Sequence, residues 1–559
     1  MRHRFTLLLL IATLITNASC TQAQPAGAAQ YAGNQGSIAA TARQHWVDSV
    51  YSHLSEDERI GQLFMLAAYS GGPNENSAEM ERMIRANRAG GLIFMQGTAE
   101  KQAELTNRFQ AAAKVPLLIA MDAEWGLGMR LEGIKNLPRQ MMLGATRDTG
   151  LARELGATIA TQCRRLGVHI DFAPDVDVNN NPENPVINTR SFGENKYWVA
   201  RLGIAYMNGL QQNGVMACAK HFPGHGDVSV DSHKDLPVIN KSLTQLDSLE
   251  FYPFRELIKA GVQSVMIAHL SVPALETGAH VPTTLSKNTV TNVLKRRLGF
   301  NGLIFTDALN MQGVAKYFTA GEADVRAFEA GCDVLLFSQD VPVATAKIKE
   351  AVKSGRVPAQ ELERRVKKLI AAKWDAGLNT FTPINPANIR ADINAQTAAF
   401  NARVAEKAIT VVRRTDKIFP FTKGMHVLYV GVNGKLDAAA EANLRASVGD
   451  LKMGTANLPD LDRKDVDAIV IGIHGLSFYP ANNYGLSAAS IAFLKSAAQK
   501  QNVIIAVMGN AYAIKYACNA RNILCGYEDN EWTNAALVKA LTGAVQPSGT
   551  LPVTPPCLK

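Results

Sequence analysis

Cysteine is scarce in this chain. Seven occur among 559 residues (Cys20, Cys163, Cys218, Cys332, Cys518, Cys525 and Cys557), and none falls at the short spacing of a zinc knuckle or ribbon. Spacing leaves disulfide pairing open; Cys163, Cys218 and Cys332 read as buried free thiols, and Cys518 with Cys525 as a candidate pair. Long apolar runs are also missing. The one extended run, residues 5–15, is too short for a membrane-spanning helix. No basic run is interleaved with aromatics, so nucleic acid is not an expected partner. The glycine fingerprint of a nucleotide-binding turn is absent, "GVNGKL" being too loose a match. No internal repeat is evident.

What is present is ordinary for a globular protein: 47% apolar and 19% charged residues, with a formal charge of +9. The length allows two or three domains. A basic start, the short apolar run and small residues after it, "MRHRFTLLLLIATLITNASCTQAQ", predict an export signal over 1–23, cleaved after Ala23. Lipidation at Cys20, after "NAS", is the alternative and would be the chain's one route to a membrane. The mature protein is expected outside the cytoplasm, periplasmic or extracellular. Residues 24–40 read as a flexible leader.

From Leu63 the chain alternates short apolar runs with amphipathic stretches of helical period. The runs begin "LFMLAAY", "GGLIFMQG", "PLLIAMDAEWG" and "VHIDFAPDVDV", and continue "VMACAKHFPGHG", "SVMIAHLSVP", "GLIFTDALNMQG" and "CDVLLFSQD". Continuous apolar runs joined by helical crossovers predict parallel strands buried on both faces. Eight of them predict a closed (β/α)8 barrel of the TIM type over 41–382. A linker over 383–402 and a smaller open α/β sheet domain over 403–559 follow, with strand-like runs "HVLYVGVNG", "VDAIVIGIHG", "NVIIAVMGNAYAI" and "NILCGYEDN". The basic residues between "TAKIKEAV" and "WDAGL" read as a solvated helical face.

Most barrel runs end in polar residues: Asp122 and Glu124, Asp175 and Asp177, Lys220 and His221, His269, Asp307, Ser338 and Asp340. In a barrel these converge on one mouth, where such folds keep their active sites. Asp340 and Asp175 are read as turn or helix-cap residues. The densest segment is "KHFPGHGDVSVDSHKDLP", Lys220 to Pro237. His221, His225, Asp227, Asp231 and His233 are zinc-ligand types, but Pro223 and two glycines forbid the regular helix that would align His221 with His225. No metal or other cofactor is expected. Asp231 and His233 stand two apart, so on an extended or turning loop they point the same way. An aspartate there accepts one ring N–H, favours the imidazolium, and leaves the other nitrogen to deliver a proton. A plain loop staple is the blander alternative. Asp307 ends a strand, as a nucleophilic carboxylate or as the cap of the next helix.

These segments, with "NPVINTRSFGEN" and in this order, resemble glycoside hydrolase family 3, and within it the NagZ-type β-N-acetylglucosaminidases. The resemblance is strong over about 45–380 and looser beyond, where "GYEDN" and "GTLPVT" look like the family's end. It implies that Asp307 is the nucleophile forming a glycosyl-enzyme, and that His233, paired with Asp231, is the general acid/base. It further implies that Asp122, Arg130, Arg190, Lys220, His221 and His269 line the subsite for the terminal sugar. The implied activity is release of non-reducing N-acetylglucosamine from peptidoglycan or muropeptide fragments, or from chitin oligosaccharides, with retention of configuration. One departure is Trp125, where the family often has glycine; an indole there stacks on a sugar or narrows the site. The alternatives are a β-glucosidase-like family member, a phosphorylase using phosphate as acceptor, a metal-dependent amidohydrolase, and a non-catalytic wall-binding protein. Oligomeric state and the role of the second domain are not legible.

Overall fold

A computed structural model describes residues 40–278, 280–456 and 461–558. The expected signal segment 1–23, Cys20 and the leader up to residue 39 lie outside the described residues. Among the described residues no helix is long and apolar enough to cross a membrane.

All eight apolar runs are strands: Phe64–Ser70 (β1), Gly91–Thr98 (β2), Leu118–Met121 (β3), Ile170–Asp171 (β4), Met216–Phe222 (β5), Ser264–Ile267 (β6), Leu303–Thr306 (β7) and Leu335–Leu336 (β8). They pair in parallel and in chain order, and β8 returns to β1 through Phe64 against Leu335. A bridge between Phe305 and Val334 joins β7 to β8 and closes the cylinder. A short extra pair, Leu131–Glu132, runs beside the end of β2. Residues of β3, β6, β7 and β8 are buried without interruption, which is why these strands read as continuous apolar runs rather than as an alternation.

Crossover helices begin on side chains suited to the task. Asp148 accepts the Gly150 and Leu151 N–H groups at the start of helix Thr149–Arg165, and Asn195 does the same for helix Lys196–Gln211. Asp340, read from sequence as a cap, takes the Val343 N–H at 3.0 Å and opens helix Val341–Lys353. The following helix, Ala359–Asp375, corrects one expectation: its basic face is not uniformly solvated. Arg365 and Lys373 are buried. The Arg365 guanidinium donates to the Phe328 and Cys332 carbonyls at the end of helix Glu322–Ala330. Lys373 donates to Gln62 and is pushed down to about 7 by burial.

The Pro- and Asn-rich stretch after Leu378 is strapped to the barrel exterior: Asn107 exchanges two hydrogen bonds with Ile384, and Arg165 donates to the Asn385 and Ala387 carbonyls. Helices Ile389–Asn394 and Thr397–Ala408 then lead into the second sheet. Its strands are Thr410–Arg414 (β9), His426–Val432 (β10), Asp450–Thr455 (β11), Ala468–Ile473 (β12), Val503–Val507 (β13) and Asn522–Cys525 (β14), in the order β9-β14-β13-β12-β10-β11. Only β9 is antiparallel. The two outer strands are those the apolar pattern missed. The pairing of Cys518 is also corrected: it bonds Cys557, and Cys525 is a buried free thiol like Cys163, Cys218 and Cys332.

The two domains are bolted together beside the barrel mouth. Thr550 donates to the Ala145 carbonyl, Glu194 takes the Thr554 N–H, and the Asn179 amide meets the Tyr512 hydroxyl at 2.9 Å.

Candidate active site

The strand ends of β3, β4 and β5 carry a buried charge network. Lys220, 2% exposed, lies between Asp122 (2.9 Å) and Glu124 (2.7 Å). Arg130 takes the other oxygen of Asp122 at 2.5 Å, and Arg190 grips Glu124 with two nitrogens, the closest at 2.7 Å. Burial alone would raise both acids; Lys220 with Arg130, and Arg190 with Lys220, outweigh it and hold both below their ordinary values. The same pairing keeps Lys220 charged against burial. Glu124 was read from sequence as a strand-end residue facing the mouth but not as part of the sugar subsite; the D-x-E spacing places both carboxylates on one side.

One layer further, the Arg190 N–H groups also face His221 Nε2 at 3.2 Å. Arginine only donates, so Nε2 accepts and Nδ1 carries the proton, given to Asp177 at 2.8 Å. Asp177 further accepts the His225 N–H at 2.6 Å, and these contacts hold it low despite burial. Asp175 is pushed well up by burial and by Asp177 beside it. As expected from sequence it closes a turn, its Oδ1 accepting the Asp177 N–H at 3.0 Å, and its Oδ2 faces this network, 3.8 Å from both Arg190 and the His221 ring.

The loop after β5 departs from the strand through Gly224, whose φ of +129° suits glycine alone. At Gly226 a Cβ would lie 1.9 Å from the Val178 carbonyl oxygen, so the backbone packs directly on the segment after β4. The loop does not gather its histidines and aspartates into one ligand set. Asp227 pairs with Lys241, His225 faces Ser232, and Asp231 holds His233. Asp175, Asp177 and His221 do lie within 4.8 Å of one another, but the His221 nitrogens are engaged by Asp177 and Arg190.

His233 Nδ1 stands 2.8 Å from Asp231 Oδ1, which also accepts the His233 backbone N–H. Burial works against the Asp231 carboxylate, but these two contacts hold it below its ordinary value. Among the described residues Nε2 has no hydrogen-bond partner, and the side chain is 63% exposed. Asp307 follows β7 and accepts the Ala308 N–H at 2.8 Å. It caps no helix; the next one, Gln312–Ala315, begins after Met311 with no side-chain cap. Burial would raise Asp307, yet His269, His221 and the Ala308 N–H hold it below the usual value, so the carboxylate is ionised at neutral pH. His269 is fully buried and is not among the side chains that wall the cavity at the barrel mouth. It donates from Nε2 to the Ala308 carbonyl at 2.9 Å and meets the Thr284 hydroxyl at 2.7 Å, bracing the residue next to Asp307.

A single cavity of about 340 Å3 is walled by Asp122, Glu124, Arg130, Arg190, Lys220, His221, His233 and Asp307 together. Tyr479 of the second domain joins this wall, from the loop after β12. No spacing in the sequence announced it, because the loop comes to the mouth only through domain packing. Its neighbour Phe478 stacks on the Arg139 guanidinium at 3.7 Å, and Arg139 stacks on Trp125 at 3.8 Å. One face of the Trp125 indole is therefore taken by Arg139, and its edge narrows the cavity.

This arrangement accords with comparisons to known proteins. Residues 55–372 match the family model described as the glycosyl hydrolase family 3 N-terminal domain. A Cellulomonas fimi protein named β-N-acetylglucosaminidase/β-glucosidase is 31% identical over 388 residues, 68% of each chain. The β-hexosaminidase LpqI of Mycobacterium tuberculosis is 31% identical over 332 residues, 57% of this chain and 83% of that one. A solved structure, a family 3 β-N-acetylglucosaminidase from Paenibacillus sp. str. FPU-7, superposes with a TM-score of 0.73 at 30% identity, covering 90% of this chain and 99% of that one. With an ionised strand-end carboxylate, an Asp–His pair and a charged bed around one cavity, the chain belongs to glycosyl hydrolase family 3.

Proposed function

We propose that this chain is an exported, retaining exo-β-N-acetylglucosaminidase that removes the terminal amino sugar from peptidoglycan fragments. The observation that carries the reading is that Asp307 and the Asp231–His233 pair open onto one cavity of single-sugar scale beside a fixed bed of paired charges. In the first step an Asp307 oxygen attacks the anomeric carbon, and the bond to the leaving oxygen breaks as His233 Nε2 gives that oxygen its proton. Asp231 steadies the imidazolium beforehand and orients the ring. In the second step neutral His233 takes a proton from water, the water oxygen attacks the anomeric carbon, and Asp307 is released. Two inversions give retention. Asp122, Arg130, Arg190 and Lys220 hold the sugar hydroxyls, and His221 fixes Arg190 beside them; His269 acts from behind, on the backbone beside Asp307.

The names carried by the relatives support the amino-sugar specificity, and the sequence of residues 1–23 supports export, with Cys20 as the alternative lipid anchor. The test is turnover of matched aryl β-N-acetylglucosaminide and β-glucoside with EDTA present, with the first-formed anomer read by NMR. Preference for the acetamido sugar with a β first product is expected. Preference for the glucoside, an α product, or activity only with added metal would each overturn the reading. Sugar 1-phosphate formed in phosphate buffer would make the chain a phosphorylase. Muropeptides and chitin oligosaccharides offered side by side decide the glycan.

Tyr479→Ala is expected to raise KM about tenfold while changing kcat little, since an aromatic wall binds ground state and transition state alike. An unchanged KM in steady-state kinetics would remove the second domain from the substrate site.

A further inference from the structure

The loop that carries His233 is tied to the segment that follows the nucleophile, and these ties are not part of the chemistry described above. Asp235, two residues past His233, accepts from Lys316 Nζ at 2.9 Å and from the Tyr317 hydroxyl at 2.7 Å. Ser232, on the other side of His233, gives its carbonyl to the Gly313 N–H at 3.2 Å. Gly313 is a close-approach point: a Cβ there would lie 3.1 Å from the Ser232 oxygen, 3.3 Å from the Asp235 oxygen and 3.5 Å from His269 Cβ. The Tyr317 ring is itself seated, stacked on His280 at 4.6 Å and 8°. Gly313, Lys316 and Tyr317 belong to one short stretch that begins at Asp307 and Ala308. The two halves of the reaction therefore share one platform.

We propose that Asp235, held by Lys316 and Tyr317, is a positioning residue that sets the His233 ring over the leaving oxygen. This rests on the reading of His233 as the acid/base. The physical need is plain: the ring is mostly exposed, its side-chain partner is Asp231 on the same loop, and within the loop only the 3.3 Å contact of His225 with Ser232 helps to fix where that pair sits relative to Asp307. Proton transfer demands contact geometry, and a misplacement on the order of 1 Å can cost about a hundredfold.

The proposal separates from mere loop stability by its dependence on the leaving group. A sugar alcohol leaves only with a proton, whereas a dinitrophenolate leaves without one. Asp235→Ala and the milder Tyr317→Phe should be compared with wild type on N,N′-diacetylchitobiose and on 2,4-dinitrophenyl β-N-acetylglucosaminide, using kcat/KM, which reports the glycosylation step. The expected result is a loss of roughly 10–100-fold for Asp235→Ala on the disaccharide and under about 3-fold on the aryl substrate, with Tyr317→Phe between Asp235→Ala and wild type. Equal losses on both substrates would make the contacts purely structural, and no loss on either would make them idle; each overturns the proposal. His233→Ala, run alongside, should show the same leaving-group dependence, only larger. If it does not, the assignment of His233 as the acid fails, and the clamp fails with it for that identifiable reason.

Discussion

Asp307→Ala is expected to lower kcat/KM by roughly 10⁴-fold or more, the scale on which loss of one member of a covalent catalytic set is felt. The carboxylate is the proposed site of bond formation, and the neighbouring groups that keep it ionised cannot substitute for it. The same change should leave the fold intact at a modest cost in stability. Among the described residues the Asp307 side chain accepts one hydrogen bond, from the Ala308 N–H, and because its carboxyl is held below the ordinary value the charged form contributes some stability near neutrality. Activity and melting temperature measured on one preparation give the check. Residual activity within tenfold of wild type would remove Asp307 from the nucleophile's role. A collapse of activity together with a large fall in melting temperature would show instead that the residue holds the barrel mouth together.

Lys220→Met should destabilise the protein strongly as well as silence it. Lys220 lies between Asp122 and Glu124 and is itself buried. Without it Asp122 keeps only Arg130 and Glu124 only Arg190, and loss of one partner from such a buried set costs about 3–5 kcal/mol. A drop in melting temperature of about 5–15 °C is expected near neutral pH. The pH dependence gives the sharper reading. In the wild type both acids are held low, so their contribution to stability is present above the unfolded carboxylate pKa of about 4 and is lost as pH falls through their folded values. In the variant Arg130 still holds Asp122 and Arg190 still holds Glu124, but without the lysine both acids move up toward the unfolded value and contribute less. The gap between the two proteins should therefore be fully present near neutrality and narrow only below the unfolded carboxylate value, toward about pH 3. Melting curves at the two pH values test this, and a gap that is constant or grows in acid would mean that the lysine acts mainly through packing.

Much of the architecture could be read before any coordinates. Parallel strands buried on both faces must be apolar along their length, so each of the eight barrel strands announced itself as a short run. The strands that escaped are β9, "TVVRR", and β11, "DLKMGT", at the two edges of the second sheet and partly exposed. Edge strands carry polar and charged side chains, which blurs the pattern the inner strands display. Among the site residues, those that end strands were visible because a polar residue closing an apolar run must face the mouth. His269 satisfies that rule and still turns out of the cavity, since the Ala308 carbonyl and the Thr284 hydroxyl offer its ring two partners behind the wall. A basic helix was read as solvated because sequence carries no sign of the carbonyls that draw Arg365 inward.

The sequence by itself determined the barrel, the existence of a second α/β sheet, and the pairing of Asp231 with His233, because each depends on residues within one run or one turn. Only the tertiary structure decided that Lys220 joins Asp122 to Glu124, that Cys518 bonds Cys557, and that Tyr479 crosses from the second domain to the barrel mouth. It also decided that Asp235 is clamped to the platform behind Asp307. These contacts join residues far apart along the chain, and no local spacing encodes them. They exist because folding brings the C-terminal ends of the strands and the edge of a second domain to the same few ångströms, where buried charges must find partners or not be buried at all.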